Sequence, residues 1–142
     1  DDGIGKSSSI LSICQCQFVK DYDRTMRDSY RKTMVFGSTP MLFDLREMCC
    51  DVSADNPWQV TAKSHQVVVL GFSLVNRESF ENAKTFWMHE IQTKTPLSPI
   101  VLIGFQSDLR DEGQFKDNDP NNSVSEVEAT QFGEQLNKLN AS

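Results

Sequence analysis

The stretch DDGIGKSSS (residues 1–9) decides the fold, because it ends in a pattern that binds phosphate. Gly5, Lys6 and Ser7 match the end of the phosphate-loop pattern G-x-x-x-x-G-K-[ST], whose first glycine would precede residue 1. Gly3 and Gly5 let backbone N–H groups turn inward, and a helix starting near Lys6 would point its N-terminus at an anion. Lys6 would reach the β- and γ-phosphates, and the Ser7 hydroxyl would bind Mg²⁺. A glycine turn before a serine-capped helix is the ordinary alternative for this stretch.

The composition fits one soluble globular domain. The chain has 142 residues, 38% of them hydrophobic, and a formal net charge of -6. This length can bury a core without disulfides. The acidic balance argues against a nucleic-acid partner, for which a basic surface is expected. No apolar run approaches the roughly 20 residues of a membrane span, and no signal-peptide pattern opens the sequence.

The four cysteines form two close pairs, and three interpretations stay open for them. They are Cys14, Cys16, Cys49 and Cys50. Reduced thiols of a cytosolic protein are the ordinary interpretation. A disulfide between the two regions is the second, since the count is even. A zinc site is the third, although C-x-C and C-C are poor ligand spacings.

The apolar pattern predicts an α/β fold in the order helix, strand, strand, strand, helix, strand, helix. The first three elements are a helix at 6–16 and the two strands of a hairpin that turns at GSTP (37–40). The others are strands within 65–74 and 98–105, helices that begin at Arg77 and Ser125, and a short helix after Pro57. The two later strands are continuous apolar runs, which predicts burial on both faces. Polar segments 17–32 and 106–123 are predicted as loops. The second helix is predicted to pack through Phe80, Ala83, Phe86 and Trp87.

Three separated stretches resemble Ras-superfamily small GTPases. FVKDYDRTMRDSYRK (18–32) is similar to the Ras-type first switch, F-V-x-x-Y-D-P-T-I-x-D-S-Y-R-K. FSLVNRESFENAKTFW (72–87) resembles a strand and helix of Rho-type members, and IGFQSDLRDE (103–112) resembles their G-x-x-x-D-L-R-D segment. Order and spacing hold over nearly the whole sequence. The resemblance implies one small GTPase (P-loop) domain over 1–142, with a mixed, mostly parallel sheet and helices on both faces.

Parts of the family pattern have no counterpart in this sequence. They are the strand before the phosphate loop and the last strand and helix, with their Ser-Ala-Lys guanine contact. A domain without them would expose sheet edges. We therefore expect the natural protein to extend in both directions, or the sequence to be incomplete. A further GTPase-like domain in the same chain is one form that such an extension would take.

The resemblance assigns a nucleotide site residue by residue. The phosphate cradle matches Gly3, Gly5, Lys6, Ser7 and Ser8. Phe18 matches an aromatic side chain that meets guanine edge-on. Asp108 matches the carboxylate that accepts from two guanine N–H donors, and Gln106 keeps part of the stem that stacks on the base.

The resemblance also assigns Mg²⁺ and catalytic positions. Ser7 and Thr25 would bind the metal, with Glu47 holding one of its waters. Lys6, Thr25 and Asp51 stand at the positions that catalyse hydrolysis. Asp51 replaces the glutamine that orients the attacking water, and an ionised aspartate cannot donate a hydrogen bond.

Several positions depart from the family in ways that predict impaired function. Asp2 replaces a small glycine, so a side chain crowds the transition state and its charge repels phosphate. The second switch reads E-M-C-C-D (47–51) in place of D-T-A-G-Q. Together with Asp51, these changes predict slow hydrolysis.

Guanine recognition is altered as well. The motif N-K-x-D reads Phe105, Gln106, Ser107, Asp108. The lost amide and the lost charge are expected to cost about 2–4 kcal/mol, or roughly 30- to 1000-fold in affinity.

The sequence therefore leaves two candidate functions. The first is a molecular switch in signalling or vesicle trafficking that binds GTP or GDP with Mg²⁺, is a weak GTPase, and meets protein effectors and regulators through its switch regions. The second is a pseudo-GTPase scaffold without useful nucleotide cycling. The expected location is the cytoplasm, with any membrane association through a segment outside this sequence.

Overall fold

The computed structural model describes residues 1–18, 29–48, 67–111 and 122–140. The chain divides into two compact units. One unit is Gly5–Cys50, and the other joins Asp1–Ile4 to Asp51–Ser142. The predicted short helix after Pro57 lies outside the described residues.

Within its described residues, the first unit contains one helix and one hairpin. Its elements are α1 (Lys6–Gln15), β1 (Ser29–Phe36) and β2 (Thr39–Arg46). The strands pair antiparallel, from Ser29 opposite Arg46 to Phe36 opposite Thr39. Gly37 makes the turn with a φ of 61°, a left-handed conformation that favours glycine. The predicted helix and hairpin are confirmed, with Pro40 next to the start of the second strand.

β1 begins inside a segment that the sequence predicts to be a loop, and Lys32 explains why. The side chains of β1 alternate between exposed and half-buried, and Lys32 lies on the half-buried side. Its Nζ donates to the carbonyl oxygens of Ile13 (2.6 Å) and Cys14 (2.9 Å) and lies 2.8 Å from Cys16 Sγ. The lysine thus caps the C-terminus of α1, where a cation is favourable. A charged residue on the inner side hides the strand period in the sequence.

The cysteines can be followed only in part. Cys14 and Cys16 are free thiols, which removes the disulfide alternative for these two. Cys49 and Cys50 lie outside the described residues. Within the described part of the chain, no group of three or more His, Cys, Asp or Glu side chains is placed to hold a metal ion.

The second unit is built on a parallel strand pair. Its elements are β3 (Val68–Ser73), α2 (Arg77–Asn82, a π-helical turn Ala83–Trp87, then Met88–Lys94), β4 (Ile100–Phe105), α3 (Ser107–Asp111) and α4 (Glu126–Asn140). β3 and β4 pair in register from Val68 beside Ile100 to Ser73 beside Phe105. One parallel and one antiparallel pair, with helices between strands, confirm the α/β class.

An aromatic cluster forms the core of the second unit. The ring centroids of Phe72 on β3 and Phe80 on α2 lie 4.8 Å apart. The ring centroids of Phe80 and Phe132 on α4 lie 5.8 Å apart. All three side chains are buried. α2 therefore packs on the face of β3 that carries Phe72, and α4 packs on α2 through Phe132.

The opposite face of the parallel pair differs from the sequence prediction. Val69, Val101 and Ile103 are exposed, Val69 by 56%, although burial on both faces was predicted. A continuous apolar run does not reveal which of its alternate residues will be covered. The short helix α3 also replaces part of a predicted loop, since Gln106 turns the chain with a φ of 64°.

No helix among the described residues has the length and apolar character needed to cross a membrane.

Candidate nucleotide-binding site

The N-terminus of α1 has the local backbone geometry of an anion-binding helix end. Gly5 precedes the helix in a left-handed conformation, with a φ of 104°, and Gly3 has a φ of 71°. Gly5, the N-cap residue, has no side chain with which to cap this end, and no acidic residue lies in the first turn. The first backbone N–H groups of a helix lack intrahelical partners and carry a partial positive charge. An uncapped helix after a glycine turn is therefore suited to bind phosphate.

Three of the predicted site residues meet beside this helix end. Ser7 donates its hydroxyl hydrogen to Glu47 Oε2 at 2.5 Å, and Lys6 Nζ lies 3.9 Å from Glu47 Oε1. Glu47 directly follows β2, so the strand end places its carboxylate opposite the first turn of α1. The Lys6 and Glu47 side chains are each 23% exposed.

This cluster fits the metal that the resemblance to small GTPases implies. Mg²⁺ prefers hard oxygen ligands, and it usually binds through one or two protein oxygens together with phosphate and water. The Ser7 hydroxyl and the Glu47 carboxylate supply such oxygens at one point. They would hold the ion there, and the ion would supply positive charge to the phosphates.

In the second unit, the segment Asp1–Ile4 is fixed at Gly3 and Ile4. The Gly3 carbonyl accepts a hydrogen bond from Gln106 Nε2 at 3.3 Å. The other end of the same amide, Gln106 Oε1, accepts from Ser73 Oγ at 2.5 Å. Ile4 is only 3% exposed. Gln106 thus braces the phosphate loop with an amide, which Phe105 in the preceding position cannot do.

Phe105 has a structural role in place of the lost amide. A Cβ on Gly71 would lie 2.5 Å from Cε2 of Phe105 and 3.3 Å from Cδ1 of Ile4. The ring therefore packs directly over the glycine of the neighbouring strand. Sequence reasoning missed Gly71 and Ser73 as supports of the site, although an isolated glycine within a strand is a signal of close approach.

The remaining predicted residues are distributed as follows. Asp108 lies in the first turn of α3 with an exposed side chain, in the same unit as Gln106 and Gly3. Phe18, 75% exposed, follows α1 in the first unit, which also contains Gly5 and the half-buried Ser8. Thr25 and Asp51 lie outside the described residues, and Asp2 is exposed.

Together these features define a class. An α/β chain with a glycine turn, an uncapped helix, and a lysine and serine that face a carboxylate is a phosphate-loop nucleotide-binding domain. The family model of the Ras family matches residues 1–141, and the chain therefore belongs to the Ras family and has its α/β small GTPase fold. This family consists of GTP-binding switch domains, which in general bind GTP or GDP with Mg²⁺ and interact with effectors and regulators.

Proposed function

We propose that this chain is a guanine-nucleotide switch that binds GTP or GDP with Mg²⁺ and hydrolyses GTP slowly. The contact between Ser7 and Glu47 beside Lys6 carries the proposal. It joins a phosphate-binding helix end to a carboxylate at the end of β2, which is the arrangement that a metal-bound triphosphate requires. The extra methylene of glutamate does not prevent this contact.

Base selection is assigned to Asp108. Its exposed carboxylate would accept from the two N–H groups on the guanine edge, and such charge-assisted pairs are the strong ones. Gln106, two residues earlier, ties this segment to the Gly3 carbonyl, so base and phosphate contacts share a support. Phe18, exposed after α1, would add an aromatic edge.

Slow hydrolysis follows from two side chains. Phosphoryl transfer depends on positioning and on charge at the transferred group. Asp2 places a carboxylate at the loop, and Asp51 offers no hydrogen-bond donor to hold the attacking water. Asp2 would crowd the transition state and repel the phosphates, whereas Asp51 would leave the attacking water without a donor.

A pseudo-GTPase scaffold is the second candidate, and the contacts of Gln106 favour it. Both ends of its amide already have partners, Ser73 and Gly3, so its stem is held there. The Phe105 side chain packs on Gly71, and its ring has no amide with which to brace the loop. Weak base recognition would leave the domain with protein interactions alone.

The two candidates differ in what the purified protein contains. The bound nucleotide is released by denaturation and identified by chromatography, and thermal stability is measured with added GDP and Mg²⁺. Near one GDP or GTP per chain supports the switch, and GTP specifically supports slow hydrolysis. An empty protein that gains no stability from GDP overturns the switch and supports the scaffold.

Partners and location are part of the same proposal. Effectors and regulators would bind through the switch segments at 18–32 and 47–51, whose order would depend on the γ-phosphate. The role would be in signalling or vesicle trafficking, in the cytoplasm or at a membrane.

A further inference from the structure

The π-helical turn of α2 holds the carboxylate of Asp1. Trp87 Nε1 donates to Asp1 Oδ1 at 2.9 Å, and Asn82 Nδ2 donates to Asp1 Oδ2 at 3.0 Å. Each carboxylate oxygen therefore has its own donor. All of these residues belong to the second unit. Hydrogen bonds to an ionised acceptor are stronger than those between neutral groups, so this is a firm attachment.

The wide turn is what allows both donors to reach one carboxylate. In a regular α-helix, residues five apart point in directions about 140° apart. The turn Ala83–Trp87 is π-helical, and its i→i+5 pattern brings residues five apart closer to one side. Asn82 immediately precedes this turn and Trp87 ends it.

The burial pattern of α2 shows the effect of the π-helical turn. Its buried apolar positions are Phe80, Ala83, Met88 and Ile91, with spacings of three, five and three residues. The five-residue step falls on the π-helical turn. Trp87 is thereby moved out of the buried row that a regular helix would give it, and its indole N–H is available to Asp1. Phe86 contacts the Trp87 ring edge-on, with centroids 4.9 Å apart.

The attachment lies at the entry to the phosphate loop. Asp1 comes two residues before Gly3, whose carbonyl is held by Gln106, and three before the buried Ile4. The segment 1–4 is thus fixed at both ends and at its middle. A loop held in its binding conformation loses less conformational entropy when a ligand binds.

We propose that Asn82 and Trp87 are positioning residues for nucleotide binding, which act through Asp1 on the conformation of the phosphate loop. Neither residue needs to touch the nucleotide. The proposal rests on the proposed function, because its readout is nucleotide affinity.

The test is a double-mutant cycle in the full chain, read as the Kd for a fluorescent GDP with Mg²⁺. Trp87→Phe removes the indole donor but keeps an aromatic ring, and Asp1→Ala removes the acceptor. Each single change is expected to weaken GDP binding about 3- to 10-fold. The double variant is expected to bind no more weakly than the worse single variant, because both changes break one attachment. Gln92→Ala, a change at an exposed position of the same helix that leaves both hydrogen bonds in place, is expected to keep the wild-type Kd.

The outcomes separate this proposal from the one on which it rests. Wild-type binding of GDP with an unchanged Kd in both single variants overturns the positioning role alone. Losses that multiply in the double variant also overturn it, since independent effects would then be at work. Absence of GDP binding by the wild type overturns both proposals. Unfolding by urea without nucleotide is measured in parallel, and a loss of affinity in variants of unchanged stability supports positioning over a general weakening of the fold.

Discussion

Ser7 and Glu47 form a hydrogen bond of 2.5 Å across 40 positions of sequence, with Lys6 3.9 Å from the same carboxylate. This relationship couples the first turn of α1 to the end of β2. It can form with glutamate because the side chain reaches Ser7 from the residue after the strand. The metal dependence of the site can therefore be tested at either partner.

Ser7→Ala is expected to weaken GDP binding at least about 10-fold when Mg²⁺ is present, because one metal ligand is lost. With Mg²⁺ removed by a chelator, the same variant should bind GDP about as the wild type does. Titration of a fluorescent GDP under both conditions measures this. Ser9→Ala, on the same helix, is the control and should behave as wild type. Equal loss with and without Mg²⁺ would contradict a metal role for Ser7.

Asp108→Asn is expected to change the base specificity of the site from guanine to xanthine. The carboxylate accepts from two guanine donors, whereas an amide offers one donor and one acceptor, which suits xanthine. GDP binding should fall about 100-fold and xanthosine diphosphate binding should rise. Competition between the two nucleotides for the purified variant measures the exchange. If the variant binds both nucleotides more weakly, Asp108 has a structural role in α3 instead.

Asp2→Gly combined with Asp51→Gln is expected to raise the rate of GTP hydrolysis about 10- to 100-fold. The first change removes a crowding carboxylate, and the second restores a donor for the attacking water. Single-turnover hydrolysis of bound GTP measures the rate. If the rate of the double variant stays at the wild-type level, slow hydrolysis cannot be attributed to these two side chains.

Glu128 is expected to make stability depend on pH in the acid range. Hydrogen bonds from Arg77 first, and then from Ser125, lower the pKa of Glu128 from 4.5 to about 2. A carboxyl group with a lowered pKa adds stability above its unfolded value of 4.5, and this contribution is lost as the pH falls toward about 2. Urea unfolding across this range should show a steeper loss for the wild type than for Glu128→Gln.

Two comparisons check the origin of that effect. Glu126→Gln removes a carboxylate from the same helix turn and should keep the wild-type pH profile. Added salt should reduce the contribution of Glu128, because both the Arg77 and Glu128 side chains are partly exposed, by 34% and 38%. A profile that does not change with salt or with Glu128→Gln would contradict this assignment.

Phe80→Ala is expected to lower the free energy of unfolding by about 3–5 kcal/mol, as for other buried aromatic residues. Phe80 is buried between Phe72 and Phe132, so its removal opens a cavity where β3, α2 and α4 meet. Phe86→Ala, at an exposed ring of the same helix, should cost about 1 kcal/mol or less. An equal loss in the free energy of unfolding at both positions would contradict the assignment of Phe80 to the core.

The elements with strong local signals were predictable from the sequence. The phosphate-loop pattern placed Lys6 and Ser7 at the start of α1, and the apolar runs located β3 and β4. The hairpin followed from its turn residues, as Gly37 and Pro40 show. These features depend on neighbours within a few residues, which sequence patterns report directly.

The supports of the site depend on distant neighbours and could not be predicted. The Gln106 amide reaches Gly3 over 103 positions of sequence, and nothing local to Gln106 indicates this contact. The prediction that Phe86 packs in the apolar row of α2 is wrong, because the π-helical turn shifts that row by one residue. Such a turn has no compositional signal of its own, and here it coincides with the attachment of Asp1.

The two ends of α1 are completed in different ways. Lys32 caps the C-terminus with hydrogen bonds to two carbonyl oxygens, whereas Gly5, the N-cap residue, has no side chain to cap the N-terminus. A bound phosphate would therefore act as the missing N-cap, so ligand binding and the last step of helix formation would be one event. Amide hydrogen exchange in the first turn of α1 should slow when nucleotide binds, while exchange at the end held by Lys32 should change little. The nucleotide would then be a part of the folded structure as well as a bound ligand.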